Sequence, residues 1–137
     1  MTPSLRRLAG GLVLATILAA CGGSDDDGTG PSGTDLSGTY DLQSFQQPPN
    51  PTLAPPIVSG TITLTSTRYT VTINLPPGSP TPVIQDAGTY TTSGNNITQT
   101  SDGAFGQSVG TFSLQNGILT TDLTSIAGRV ITTWKKR

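Results

Sequence analysis

Apolar and polar residues alternate along much of the chain after residue 36, which is the pattern of strands with one buried face. In RYTVTINL, residues 68–75, tyrosine, valine, isoleucine and leucine occupy every second position, and polar residues lie between them. The segment GTITLTS, residues 60–66, alternates in the same way, and Ser66 and Thr67 mark the turn between the two. These two segments predict a β-hairpin.

Six further segments bring the predicted number of strands to eight. Asn116-Gly117, a preferred two-residue turn, joins GTFSLQ to ILTTDL, and SGNN, residues 93–96, joins AGTYTT to ITQT. GTYDLQSF, residues 38–45, predicts the first strand, and GRVITTWK, residues 128–135, predicts the last. No segment shows apolar residues at the helical period, so almost no helix is expected in this region.

Eight consecutive antiparallel strands predict an all-β meander that closes into a small barrel, with a two-sheet β-sandwich as the alternative. The residues expected to point inward are apolar or aromatic and follow the alternation. They are Tyr40, Leu42, Ile62, Leu64, Tyr69, Val71, Ile73, Tyr90, Ile97, Phe112, Leu114, Leu119, Leu123, Val130 and Trp134. Packed at protein density they nearly fill so narrow a barrel, which favours a solid core over an open cavity.

A Gly-Thr pair followed by an aromatic residue or isoleucine occurs at Gly38, Gly60, Gly88 and Gly110. We interpret this repeat as a mark of strand entry rather than as a repeated binding element. Glycine at such a position allows a bulge, a bend at a barrel corner, or a ring that packs across it. The threonine is then expected to face solvent and the third residue to face the core.

A different pattern precedes the strands. Arg6 and Arg7 lead into an apolar run at residues 8–18, which is shorter than the roughly 20 residues that a spanning helix needs and is typical of a secretory signal peptide. The sequence LAAC that ends at Cys21 resembles the lipobox of bacterial lipoproteins. This resemblance implies removal of residues 1–20 and attachment of a diacylglycerol and an N-acyl chain, such as palmitate, to Cys21. No other cofactor is expected.

Residues 21–35 are rich in glycine, serine and aspartate and predict a flexible, disordered tether. The run at residues 25–27 lacks the spaced ligands of a calcium loop and is interpreted as solvated linker. By resemblance to lipoprotein sorting signals, Gly22 after the cysteine implies the outer membrane, with the protein facing the periplasm or the cell surface. A single domain, residues 36–137, is expected to follow the tether.

Composition narrows the possible chemistry. The chain has no histidine and no glutamate, so no side chain has an ordinary pKa near neutrality and a Ser-His-Asp arrangement is impossible. Ligands for zinc are also lacking, and only Asp41, Asp86, Asp102 and Asp122 remain for acid–base work. We therefore predict that the protein is not an enzyme and that it has neither catalytic residues nor a metal site.

Charge argues against a nucleic-acid partner. Removal of residues 1–20 leaves five basic residues against eight aspartates, a formal charge of −3, whereas recognition of a phosphate backbone needs a basic patch. The basic cluster at residues 135–137 lies at the C-terminus, where a solvated or frayed end is expected. The expected partners are instead a membrane, through the lipid on Cys21, and a small molecule; the sequence does not indicate an oligomeric state.

The segments GTYDLQS, GTYTTSGNNIT, GTFSLQNGILTTDL and VITTWKKR resemble the lipocalin-like domains of small bacterial lipoproteins over residues 36–137. Tyr40 stands where lipocalins carry a tryptophan. If the barrel is open, aromatic residues are expected to line a pocket for a small apolar or amphipathic ligand. The candidates are Tyr40, Tyr69, Tyr90, Phe105, Phe112 and Trp134. The alternative function is a non-catalytic structural or protein-interaction module of the cell envelope with a solid core.

Phe105 differs from the other candidates because glycines flank it in the loop DGAFG, residues 102–106, and no strand pattern explains it. It is expected either to cap one end of the barrel from inside or to act as an exposed contact or lid.

Overall fold

In a computed structural model, residues 33–137 form eight antiparallel strands that close into a barrel, which confirms the predicted fold class. The strands are β1 (Gly38–Gln46), β2 (Ser59–Leu64), β3 (Arg68–Asn74), β4 (Val83–Ser93), β5 (Asn96–Ser101), β6 (Gln107–Gln115), β7 (Ile118–Ser125) and β8 (Gly128–Lys136). Each strand pairs with the next and β8 pairs with β1, so the meander has no free edge and is not a sandwich. The predicted signal peptide, Cys21 and most of the tether lie outside the described residues.

No residue from 33 to 137 is helical, and accordingly this part of the chain contains no helix long and apolar enough to cross a membrane.

The two ends of the barrel differ in their connections. Three tight turns lie at one end, here called the closed end, and all three were predicted. The turn between β6 and β7 consists of Asn116 and Gly117, whose φ angles of 53° and 74° are those that a two-residue hairpin turn requires. Pairing of Ser93 with Asn96 defines the turn between β4 and β5, and pairing of Leu64 with Tyr69 defines the one between β2 and β3. The opposite end, here called the open end, carries the loops 47–58, 75–82, 102–106 and 126–127. The first two of these loops contain the proline-rich segments 48–56 and 76–80.

The N-terminal segment fills the closed end. Leu36 is fully buried although it precedes β1, and its carbonyl accepts a hydrogen bond of 2.8 Å from the Tyr40 hydroxyl. The Tyr90 hydroxyl donates to the carbonyl of Thr65 in the β2–β3 turn. This half of the barrel is therefore a solid core.

Every residue predicted to point inward belongs to the core cluster, as a buried or a partly buried member. The alternation did not indicate Leu36, Phe45 and Val58, which are also buried. Leu36 and Val58 lie outside the strands, where strand periodicity gives no signal, and Phe45 is out of phase with Leu42 because the pairing of β1 with β8 shifts register between Leu42 and Ser44.

Two of the repeated glycines lie inside strands, so the interpretation of the repeat as strand entry is wrong for them. Gly88 is in the middle of β4 and Gly110 is in β6. A Cβ atom at Gly88 would lie 2.0 Å from the carbonyl oxygen of Thr100, and one at Gly110 would lie 1.8 Å from that of Asp122. Glycine is required there because the neighbouring strand approaches too closely for any side chain.

The C-terminus is ordered rather than frayed. The Lys136 amide donates to the Gly117 carbonyl at 2.7 Å, and the Arg137 amide donates to the Thr39 carbonyl at 3.0 Å. The Arg137 guanidinium also donates hydrogen bonds to Asp41 on β1 from Nε and from one terminal nitrogen. The Arg137 contacts extend the seam between β1 and β8 that closes the barrel, and the Lys136 contact lies on the opposite side of β8.

Candidate ligand cavity

The open half of the barrel encloses a cavity of about 450 Å³. This volume lies within the range of roughly 300–1,000 Å³ that is usual for small-molecule pockets. Aliphatic side chains supply much of the wall, among them Ile62, Val71, Ile73, Leu123 and Val130. The favoured expectation of a solid core is therefore wrong for this half of the barrel.

Polar residues occupy several of the inward positions around the cavity. β4 begins at Val83 and β6 at Gln107, several residues before their apolar alternation starts. In these extensions Asp86 and Ser108 line the cavity, and Gln99 of β5 lines it as well. None of these three side chains belongs to the apolar core cluster.

The structure divides the aromatic candidates into two sets. Tyr69, Phe105 and Trp134 line the cavity. Tyr40, Tyr90 and Phe112 are buried in the core but do not line the cavity. The hydroxyls of both tyrosines donate hydrogen bonds to backbone carbonyls.

Among the residues from 33 to 137 that line the cavity, Asp86 is the single charged one. Its two carboxylate oxygens accept hydrogen bonds from the Tyr69 hydroxyl, at 2.6 Å, and from the Ser101 hydroxyl, at 2.5 Å. Tyr69 and Ser101 are the strand partners of Gly88 on either side, so the close strand approach at this glycine lies beside the polar cluster. Alternation did not indicate Asp86, although its chemical type had placed it among the four aspartates considered for acid–base work.

The other three of those aspartates pair with arginines. The Arg137 guanidinium donates to Asp41 and that of Arg129 donates to Asp122, and each contact lowers the pKa of the carboxyl group below its ordinary value. Asp102 pairs with Arg68, and both side chains are about half exposed. Within residues 33–137, no three histidine, cysteine, aspartate or glutamate residues come together as a metal site would require.

A second polar group in the cavity wall consists of Thr121, Thr132 and Trp134. The Trp134 Nε1–H donates to Thr132 Oγ1 at 2.7 Å, and the two threonine hydroxyls lie 2.7 Å apart. One hydroxyl hydrogen makes the bond between the threonines, and the other has no acceptor among the hydrogen bonds of the described residues. Since both threonines line the cavity, this hydrogen is available to a bound molecule.

Several large apolar side chains are exposed at the open end of the barrel. Ile57, Val83 and Ile126 are exposed in or beside the loops of the open end, and Ile126 retains 89% of its accessible surface. Phe105 is 40% exposed and also lines the cavity, so it lies at the boundary between the interior and solvent. Exposed apolar side chains at this end are suited to contact an apolar molecule that enters the cavity.

Burial raises the pKa of all three tyrosines above the ordinary value. The Asp86 carboxylate adds to the effect at Tyr69, and the negative charge of Asp35 adds to it at Tyr40 and Tyr90. The unfolded chain ionises first, at a tyrosine pKa of about 10, so the stability that these groups provide is present below that pH and is lost as the pH rises above it.

We therefore expect the free energy of unfolding, measured with urea, to be constant from neutral pH to about pH 10 and to fall at higher pH. Tyr69→Phe removes one of the three titrating groups, so its stability should fall less steeply over the same range. A stability curve that stays flat above this pH would contradict the burial of the three hydroxyls.

Comparisons with known proteins found solved structures with a similar fold but did not assign the chain to a family. No family model matches the chain, and a comparison with curated proteins gave no significant match. Among solved structures, a de novo designed fluorescence-activating β-barrel is 14% identical, with a TM-score of 0.49, over 74% of this chain and 94% of that one. A mutant of the fluorescent protein UnaG is 12% identical, with a TM-score of 0.38, over 74% of this chain and 96% of that one. At these values neither likeness supports an argument about function.

Proposed function

We propose that the protein is a non-catalytic binding protein that holds a small, largely apolar molecule inside the barrel. The observation that carries this proposal is the cavity of about 450 Å³ with aliphatic walls and a few polar groups. That combination is usual for ligand sites, in which apolar surface provides affinity and a few polar groups fix orientation. A structural module with a solid core has less support, because only the closed half of the barrel is filled.

We further propose that the protein is held at the outer membrane by acyl chains on Cys21, with residues 21–35 as the tether. The support is the charged and apolar segment that precedes LAAC in the sequence. More than one acyl chain is needed for stable anchoring, which the lipid set implied by the lipobox would provide. The protein should sediment with membranes, and Cys21→Ser should move it to the soluble fraction. A variant that still sediments with membranes would contradict this anchoring.

Trp134 provides a direct test of binding, since it is the sole tryptophan of the chain and lines the cavity. Decanol, which combines an apolar chain with an uncharged polar group, is a suitable probe. We expect decanol to change Trp134 emission in a saturable manner and to give one adduct per chain in native mass spectrometry. A linear, non-saturating response together with no adduct would contradict the proposed function.

A further inference from the structure

We infer that the natural ligand carries a cationic amine that binds to the carboxylate of Asp86. This inference rests on the proposed function and adds the chemical class of the ligand. It follows from the charges around the cavity and from the unused hydrogen-bonding capacity of one side chain.

The carboxylate of Asp86 can accept more hydrogen bonds than the protein supplies. A carboxylate has about four acceptor positions, and the hydroxyls of Tyr69 and Ser101 occupy two of them. Asp86 is itself among the residues that line the cavity, so its remaining positions are within reach of a bound molecule. An ammonium group has only donors to offer and would match these acceptors.

No positive charge of the described residues lines the cavity. The three arginines within residues 33–137 lie in ion pairs with Asp41, Asp102 and Asp122, and none of these aspartates lines the cavity. Lys135 and Lys136 are exposed at the end of β8, on the closed side of the barrel. A bound carboxylate would therefore face Asp86 with no counter-charge, whereas a bound amine would be paired.

The medium inside the barrel strengthens this preference. Two charges about 4 Å apart interact several times more strongly at the effective dielectric constant of a protein site than in water. A charge transferred into such a site without a partner loses hydration that nothing replaces. Selection against a fatty acid is thus expected to be as marked as selection for the amine.

Three matched probes test directly whether the cavity prefers a cationic ligand. Decylamine, decanol and decanoate share one apolar chain and differ in a head group that is cationic, neutral or anionic at neutral pH. Binding of each is measured through Trp134 emission. We expect decylamine to bind to the wild-type protein roughly tenfold or more tightly than decanoate, with decanol between them.

Two aspartate variants locate the source of the preference. Asp86→Asn should bring the three affinities to within about threefold of one another, because it removes the cavity charge and keeps the shape of the side chain. Asp102→Asn changes the net charge equally but alters an outward side chain that is 55% exposed. This variant should therefore bind the three probes in the same order of affinity as the wild-type protein. Thermal melts show whether each variant is folded, and the wild-type comparison remains decisive even if Asp86→Asn unfolds.

The outcomes separate this inference from the proposed function. Decanoate binding as tightly as decylamine, with decanol also bound, would overturn the assignment of an amine and leave the proposed function in place. An unchanged preference for decylamine in a folded Asp86→Asn variant would likewise overturn the role of Asp86. If none of the three probes binds, both the inference and the proposed function fail.

Discussion

Gly88→Ala is expected to lower the free energy of unfolding by about 2–4 kcal/mol, a large effect for adding one methyl group. The new Cβ would lie 2.0 Å from the Thr100 carbonyl oxygen and 3.0 Å from the Cα atom of Ser101. Both are backbone atoms of β5, so a rotamer change cannot relieve the overlap, and β4 and β5 must separate. The change should appear as a lower midpoint in urea unfolding and as a lower melting temperature.

Gly103→Ala is the matched control for this substitution. A Cβ at Gly103 meets only the Ser101 hydroxyl, at 3.6 Å, which is ordinary contact. The same added methyl group should therefore change stability by less than about 1 kcal/mol. Equal effects of the two substitutions would show that the strands do not approach each other at Gly88 as described.

Ser108→Phe is expected to weaken decanol binding by roughly tenfold or more, because the ring would occupy space that the ligand needs. Ser108 lines the cavity and lies on β6 opposite Gln99, which lines it as well. The cavity offers room for the ring, so the substitution should change stability much less than it changes affinity. Trp134 emission measures the affinity, and a urea titration measures the stability.

Val109→Phe places the same ring one residue further along β6, on the outer face of the barrel. Val109 is 50% exposed and does not line the cavity. The Val109→Phe variant should therefore bind decanol with the affinity of the wild-type protein. A site inside the barrel would be contradicted if both substitutions weakened decanol binding equally, or if neither substitution weakened it.

The sequence was most informative where apolar residues fill the inward positions. Alternation in β2 and β3 predicted their pairing, and Asn116-Gly117 predicted the turn between β6 and β7, because these features depend on neighbouring residues alone. The closed half of the barrel, with Tyr40 and Tyr90 inside, follows the same rule.

Prediction failed mainly at the polar positions of the candidate site. Asp86 and Ser108 point inward in stretches of β4 and β6 where apolar alternation is absent, so the strands were predicted too short and a solid core was favoured over a cavity. Whether a polar inward residue meets solvent, a ligand or a filled core depends on all eight strands together. The close approach at Gly88 is likewise set by strands that are distant in sequence, so a local motif could suggest the glycine's importance but not its cause.

The most direct test of the account is a methyl NMR titration of the protein with decanol. If the cavity binds ligand, saturable shifts should occur at Ile62, Val71, Leu123 and Val130, which line it. The methyl groups of Ile97 and Leu119, which are buried in the closed half, should shift little. An absence of saturable shifts at the lining residues, or shifts confined to exposed methyl groups such as those of Ile126, would contradict a ligand site inside the barrel.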